Sequence, residues 1–358
     1  MPASARQRTF NPENLKPLED WLRTAIGAST LVIARAELLG GGAVQENWRL
    51  DVVVDGSARA GANRWVLRTD AAARLPLSLD RASEFFVLQA AHQAGVRVAE
   101  PIARCDDAKV IGAPFLVQAF LQGEAQGHLL VKDPALDQWG PQLAATLGEE
   151  LAKIHAIRKD RGTLTELSPP QKAPGNEEVA KLRAALTTAG DERPALEYIL
   201  AWLDRNAPEP PAYSTLVHGD FRTGNYLVQE GKLAAILDWE FAHWGDPDED
   251  IGWFCAKCWR FGSNLREGGG IADRRALYEA YEQQTARQIN PRRIQYWEVM
   301  AAAKWATVAV LQGDRFRKAG ENSLELALTG LMASEIELEA FDGLKAYDSS
   351  RPETQTKS

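Results

Sequence analysis

Residues Leu216–Glu240, LVHGDFRTGNYLVQEGKLAAILDWE, carry three oxygen-bearing side chains at the spacing phosphoryl transfer requires. Asp220 stands five residues before Asn225, and Asp238 follows a predicted hairpin. A strand at Leu216–Val217 should run into a loop bearing Asp220, and Tyr226–Val228 and Leu233–Leu237 should pair across a turn at Gln229–Gly231. That fold-back would set Asn225 beside Asp238. Moving a phosphoryl group needs a carboxylate to take the attacking hydroxyl's proton, and hard oxygen ligands to hold Mg2+ against the phosphates. Asp220 suits the first task, and Asn225 and Asp238 suit the second. Taken singly, each could as well be a turn cap; three together around a hairpin are poorly explained that way.

At these residues the chain resembles the aminoglycoside phosphotransferase-like branch of the protein-kinase-like superfamily. Its HGDxxxxN and DWE signatures match His218-Gly219-Asp220, Asn225 and Asp238-Trp239-Glu240, and GDPDEDIGW, Gly245–Trp253, is similar to its GDPxxDL segment. Within that family the chain is similar to the kinase domains of acyl-CoA dehydrogenase-linked proteins. The resemblance covers Leu38 to Trp253 plainly and the later helices loosely. It implies an α+β, protein-kinase-like two-lobed fold, with an antiparallel sheet plus a helix in a small lobe, residues 1–120. A large, mostly helical lobe, 121–342, would carry the catalytic loop and acceptor cleft. The resemblance further implies ATP and Mg2+ as cofactors, a small-molecule hydroxyl acceptor, and an Asp250 that anchors the catalytic loop.

Patterning along the chain fits two lobes. Asn11 and Pro12 read as an N-cap and first helical position, with Leu15, Leu18, Leu22 and Ile26 as one apolar stripe. Strands are expected at Trp48–Val54 and Trp65–Arg68, a helix from Leu79 to Ala94, and two more strands within Ile102–Phe120. Leu143, Leu147, Leu151 and Ile154 recur at helical spacing. Asp160–Asn176 reads as a mobile connection, the region after Trp253 as helical through Ala340, and residues 1–10 and 343–358 as disordered ends.

Gly40-Gly41-Gly42 lies between the first two strands, where Gly41 and Gly42 could let backbone amides approach phosphates. A GxGxxG pattern fails at Gln45, and a plain hairpin loop explains the glycines equally well. Arg68 ends the third strand where kinases carry a phosphate-binding Lys, and Glu84 lies on the next helix as its partner. A guanidinium can bind phosphate and carboxylate together, so the role survives the departure from Lys. Gln118 to Leu121, ahead of Gly123, matches the family's hinge, where backbone groups, including those of Gln118 and Phe120, would meet adenine.

Other features read as structural. His155 ends an apolar helical stripe, His218 fits a loop-organising hydrogen bond, and Cys255 and Cys258 lack a second cysteine pair or a redox context. The 358 residues, 45% apolar, suffice for two cores; three cysteines and a polar N-terminus suggest the reducing cytoplasm. No apolar run approaches a membrane span, and scattered basic residues on an acidic chain do not suggest nucleic-acid binding. Between Ala256 and Lys318 twelve basic residues face six acidic ones, within a chain of net charge −8. If those helices wall the acceptor site, an anionic acceptor, a hydroxy acid or hydroxyacyl-CoA, is favoured over a polycationic aminoglycoside. The alternatives are an aminoglycoside-modifying phosphotransferase and, from another class, a nucleotide-binding pseudokinase-like regulatory module. A serine hydrolase is disfavoured by the lack of a GxSxG elbow.

Overall fold

The computed structural model describes residues 9–39, 45–70, 78–162, 164–190, 192–318, 321 and 323–350. In chain order its first elements are α1 (Lys16–Ala25), β1 (Thr30–Leu38), β2 (Gln45–Asp55), β3 (Gly61–Asp70), α2 (Arg81–Gln93), β4 (Pro101–Cys105) and β5 (Phe115–Ala119). Then come α3 (Gly127–Leu130), α4 (Leu136–His155), α5 (Pro174–Ala189), α6 (Pro194–Arg205), β6 (Thr215–Val217), β7 (Tyr226–Gln229), β8 (Lys232–Ile236) and β9 (His243–Gly245). The chain continues through α7 (Asp248–Cys255), α8 (Arg274–Thr285), α9 (Pro291–Arg317), α10 (Leu324–Leu331) and α11 (Ala333–Ser349). The described residues fall into two compact units, one drawn from 1–124, 162–167 and 226–242, the other from 125–161, 168–225 and 243–358.

The first unit is built on an antiparallel sheet of order β1-β2-β3-β5-β4. Alternate β2 residues Trp48, Leu50, Val52 and Val54 point into one core with Trp65, Leu67, Phe115 and Val117, as the two-residue pleat dictates. Leu18 and Leu22 of α1 seal that core. Asp80 caps α2 by accepting from the Ser83 amide at 2.7 Å, which fixes where the helix begins. The hairpin β7–β8 belongs to this unit. Its turn residues Glu230 and Gly231 both have positive φ, 51° and 72°, the primed geometry that matches strand twist.

The second unit packs helices around α9, whose 27 residues span roughly 40 Å. Its core joins Leu182, Ile199 and Trp202 to Tyr296, Trp297, Met300 and Ile336. Leu143, Leu147, Leu151 and Ile154 of α4 are fully buried, as their spacing predicts, and the strands β6 and β9 pair antiparallel. Helix α7 lies close on α9 at Gly252, where an added Cβ would fall 2.4 Å from Trp297 Cβ.

Several expectations need correction. The first helix begins at Lys16, not near Asn11; Asn11 instead accepts from the Glu13 amide at 3.0 Å, a local turn that competes with helix initiation. Phe10 is no part of a disordered end: it is 1% exposed and packs edge-on against Trp48. At the other end α11 runs to Ser349, past the expected boundary at 342, because Leu344 and Tyr347 supply an apolar face. Leu164 and Leu167, inside the expected mobile connection, are buried. Tyr226–Ala242 groups with the sheet-bearing unit, not with the helical one.

Gly252→Ala should force α7 away from α9, since the obstructing atoms are Trp297 Cβ and backbone, not the end of a flexible side chain. A loss of about 1–3 kcal/mol is expected from such overpacking, read as a shift of the urea midpoint at constant m value.

Candidate active site

Asp220 lies in the loop after β6, in the helical unit, and three donors reach its carboxylate. Trp253 Nε1 donates to Oδ1 at 2.8 Å, Arg222 Nε donates to the same atom at 3.0 Å, and Asn225 Nδ2 donates to Oδ2 at 2.5 Å. Asn225 Nδ2 also donates to the Asp220 carbonyl at 2.9 Å. The predicted pair Asp220 and Asn225 is therefore brought together.

The loop hangs from Asp250 on α7. The His218 and Gly219 amides donate to its two oxygens at 2.8 and 2.9 Å, and His155 Nε2 lies 3.2 Å away. Burial alone would raise this carboxyl's pKa. The hydrogen bond and charge of His155, followed by His218, outweigh burial and hold it below the ordinary value. His155 is fixed on its other side by the Tyr281 hydroxyl, 2.9 Å from Nδ1, and His218 Nδ1 takes the Asp220 amide at 3.3 Å. Both histidines serve the loop's architecture.

Within the sheet-bearing unit, Arg68, Glu84 and Asp238 form a second cluster. Arg68 Nη2 lies 3.1 Å from Glu84 Oε1 and donates to Asp238 Oδ1 at 3.0 Å. Burial works against the Arg68 charge, but Glu84 and Asp238 more than compensate and raise its pKa above the ordinary value. Asp238 has φ 64° and ψ 64°, a left-handed conformation that is costly for a residue with a Cβ and tends to persist where function holds it. The Leu79 amide donates to the Glu240 carbonyl at 2.7 Å, tying the DWE segment to the start of α2. A small cavity is lined by Arg68, Glu84, Gln118, Ile236, Asp238 and Trp239.

Phe120 does not line that cavity. Its amide donates to the Arg64 carbonyl at 2.9 Å, and the Ala119 amide to Glu100 at 2.9 Å, so neither is an open hinge donor. Among the described residues none accepts from the Leu121 amide, which makes it the first open donor past β5. Gly41 and Gly42 lie outside the described residues.

Sequence reading missed four residues. Arg81 is 2% exposed and pairs with Glu84 and, at 3.0 Å, with Asp70. Arg222 stacks on Trp259, with 4.3 Å from Cζ to the ring centroid, and Lys304 donates to the Gly219 carbonyl at 3.0 Å. Trp253, assigned only to core packing, reaches Asp220. One signal was available: Trp253 stands three residues after Asp250 and therefore on the same helical face.

The basic segment does not present the field that its charge count suggests. Arg287 and Arg293 are bound to Asp248, Arg293 also to Asp246, Arg274 to Glu298, and Arg315 to Glu321. Asp246 and Asp248 are buried against Arg287 and Arg293. Glu178, His243 and Glu249 bring donor atoms within 4.8 Å of one another. Lys181 and Lys304 occupy the charge complement of that group, and burial notwithstanding, Lys304 and Lys181 hold the Glu178 carboxyl down at about 2. Burial pushes the Cys255 thiol up to about 12, with Cys258 also raised, so neither is a thiolate at neutral pH.

Because the folded-state pKa of Asp250 is depressed, its stabilisation is present above the ordinary value, 3.8, and is lost as pH falls below that toward the depressed value. Asp250→Asn should cost about 3–5 kcal/mol at pH 7, with a smaller deficit at pH 3, in urea unfolding followed across pH.

A family model described as the phosphotransferase enzyme family matches residues 35–287. The chain is 29% identical over 184 residues to acyl-CoA dehydrogenase family member 10 of Mus musculus, a match covering 48% of this chain but only 16% of that protein. A crystal structure from Ralstonia eutropha JMP134, described as a candidate aminoglycoside phosphotransferase, superposes with a TM-score of 0.72 at 21% identity, covering 93% of this chain and 98% of the other. Spectinomycin phosphotransferase in complex with ADP and spectinomycin gives 0.57 at 13% identity, covering 92% and 98%. These likenesses establish the kinase-like α+β fold. No described helix is long and apolar enough to cross a membrane. The chain spans a small part of the length of the acyl-CoA dehydrogenase family proteins it matches, and it belongs to the phosphotransferase enzyme family.

Proposed function

We propose that this chain is an ATP-dependent small-molecule kinase that passes the γ-phosphoryl group to a hydroxyl of a metabolite bearing negative charge, a hydroxy acid or hydroxyacyl-CoA. The observation that carries this reading is the Asp220 carboxylate, held by Trp253, Arg222 and Asn225 in a loop hung from Asp250. Asp220 takes the acceptor's proton. Asn225 spends its amide hydrogens on Asp220, which leaves Oδ1, a hard oxygen, as its ligand atom; Asp238 contributes a carboxylate. That donor set suits Mg2+, which when bound neutralises phosphate charge. Arg68, paired with Glu84, is the phosphate-binding cation, and the Leu121 amide with Gln118 nearby is offered to the base.

The anionic acceptor no longer rests on the charge count of the helical segment. It rests on Arg222, whose guanidinium touches the proposed base and stacks on Trp259. Arg222 Nε serves Asp220 and its Nη1 the Thr223 carbonyl, which leaves Nη2 as the donor for a carboxylate, phosphate or thioester-linked diphosphate. The spectinomycin-bound neighbour supports an aminoglycoside as the other candidate acceptor.

Asp220→Asn should keep nucleotide affinity and lose about 10^2–10^4 in turnover. Unchanged turnover would remove Asp220 from the chemistry. Asp238→Ala should abolish the Mg2+-dependent part of ATP affinity in calorimetry with and without magnesium; equal enthalpograms for wild type and variant would count against the ligand assignment. ATP consumption should be stimulated by hydroxy acids or hydroxyacyl-CoA esters. Stimulation by spectinomycin or kanamycin alone would transfer the assignment to the antibiotics.

A further inference from the structure

The Asp220 carboxylate has two oxygens with two lone pairs each, and the donors around it are unequally divided. Oδ1 receives two, from Trp253 at 2.8 Å and Arg222 at 3.0 Å. Oδ2 receives one, from Asn225 at 2.5 Å. Oδ1 is saturated; Oδ2 keeps a lone pair. Arg222 and Asn225 belong to the same loop as Asp220, and Arg222 also stacks on Trp259. Trp253 belongs to α7 and refers the carboxylate to the scaffold.

Trp253 is 5% exposed and packs against Trp259, with ring centroids 5.4 Å apart, so its indole direction is set by its neighbours. Burial alone does not call for the hydrogen bond. The indole N–H groups of Trp259 and Trp297 are buried without a hydrogen-bond partner among the described residues, whereas that of Trp253 is aimed at Asp220. Asp250 and Trp253 lie three residues apart on α7, so one helical face grips both the backbone and the side chain of the loop.

Lys304 of α9 completes the grip. Its Nζ donates to the Gly219 carbonyl at 3.0 Å and lies 4.9 Å from the Trp253 ring centroid, with Glu249 at 3.8 Å and Glu178 at 4.0 Å behind it. The peptide leading into Asp220 is thus held at both of its polar groups, its Gly219 carbonyl by Lys304 and its Asp220 amide by His218 Nδ1, which fixes its plane.

We propose that Trp253 and Lys304 are positioning residues for phosphoryl transfer: Trp253 occupies Oδ1, Lys304 orients the Gly219–Asp220 peptide, and Oδ2 of Asp220 receives the acceptor's proton. The oxygen of the acceptor hydroxyl forms its bond to the γ-phosphorus as the bond from that phosphorus to the β–γ bridging oxygen breaks; the hydroxyl proton goes to Oδ2 and ADP leaves with the bridging oxygen. This rests on Asp220 being the proton acceptor.

The test is a kinetic cycle on the full chain, with MgATP consumption as the signal and water as the acceptor. Trp253→Phe removes the N–H and keeps an aromatic ring. It should lower kcat by about 10- to 100-fold with KM for MgATP within about twofold of wild type. The double variant with Asp220→Asn should be no slower than Asp220→Asn alone, since Trp253 acts through that carboxylate. A merely structural tryptophan would instead give multiplicative losses, which would overturn the proposal, as would a Trp253→Phe kcat within twofold of wild type. Should Trp253→Phe fail to fold, Lys304→Met is placed in the same cycle with the same expected and overturning results. An indole 15N spectrum supplies a readout independent of turnover. The Trp253 N–H resonance, identified in wild type from the spectrum that Trp253→Phe loses, or by residue-specific labelling, should shift in Asp220→Asn; an unmoved resonance overturns the hydrogen bond. A shifted resonance in a wild type that consumes ATP with none of water, hydroxy acids, hydroxyacyl-CoA esters, spectinomycin or kanamycin sinks the kinase reading and this inference with it. A wild type that turns over and is matched by its Trp253→Phe variant sinks this inference alone.

Discussion

A buried carboxylate, Asp250, organises the candidate catalytic loop. Its two oxygens take the His218 and Gly219 amides, and His155 leans on it from α4. An anion out of water is costly unless donors meet it, and here two backbone amides and a histidine do. The consequence is geometric. Two consecutive amides locked to one helix leave the next residue, Asp220, little freedom, so the side chain proposed to move a proton is held before any substrate arrives.

The same economy of rigid supports recurs in the sheet-bearing unit. Arg68 sits between Glu84 and Asp238, and Arg81 braces Glu84 from the other side while also pairing with Asp70. Two buried arginines and their acids form a network that would be poor as a source of stability yet effective at fixing direction. Asp238 is held there in a left-handed backbone conformation that few residues with a side chain adopt. The strain is consistent with a side chain kept for its oxygen atoms and not for its fit to the backbone.

Charge has to be read in place. The segment rich in arginine suggested a broad positive field, but in the fold Arg287 and Arg293 are consumed by the buried acids Asp246 and Asp248, and Arg274 by Glu298. Burial and the neighbouring Asp248 push the Asp246 carboxyl up to about 6 even against Arg293, which shows how tightly these charges are packed. Arg222, beside the proposed base, is likewise paired, through its Nε with Asp220.

Local sequence determined the elements whose periodicity is strong and whose partners are near. The alternation of β2, the stripe of α4 and the hairpin after Asn225 are set by side-chain period and turn chemistry, and each appears where its pattern places it. HGD, the Asn five residues on and the DWE carried the resemblance to a phosphotransferase family, and the family match bears it out. Tertiary structure decided what depends on distant partners. Whether Arg287 and Arg293 are a field or ion pairs, whether Phe120 has an open amide, and whether Trp253 is packing or a donor to Asp220 turn on residues 30 or more positions away, such as the 33 between Trp253 and Asp220. Hydrogen bonds and ion pairs of that kind act over a few ångströms in space and leave no period in the chain, so only the folded molecule could assign them.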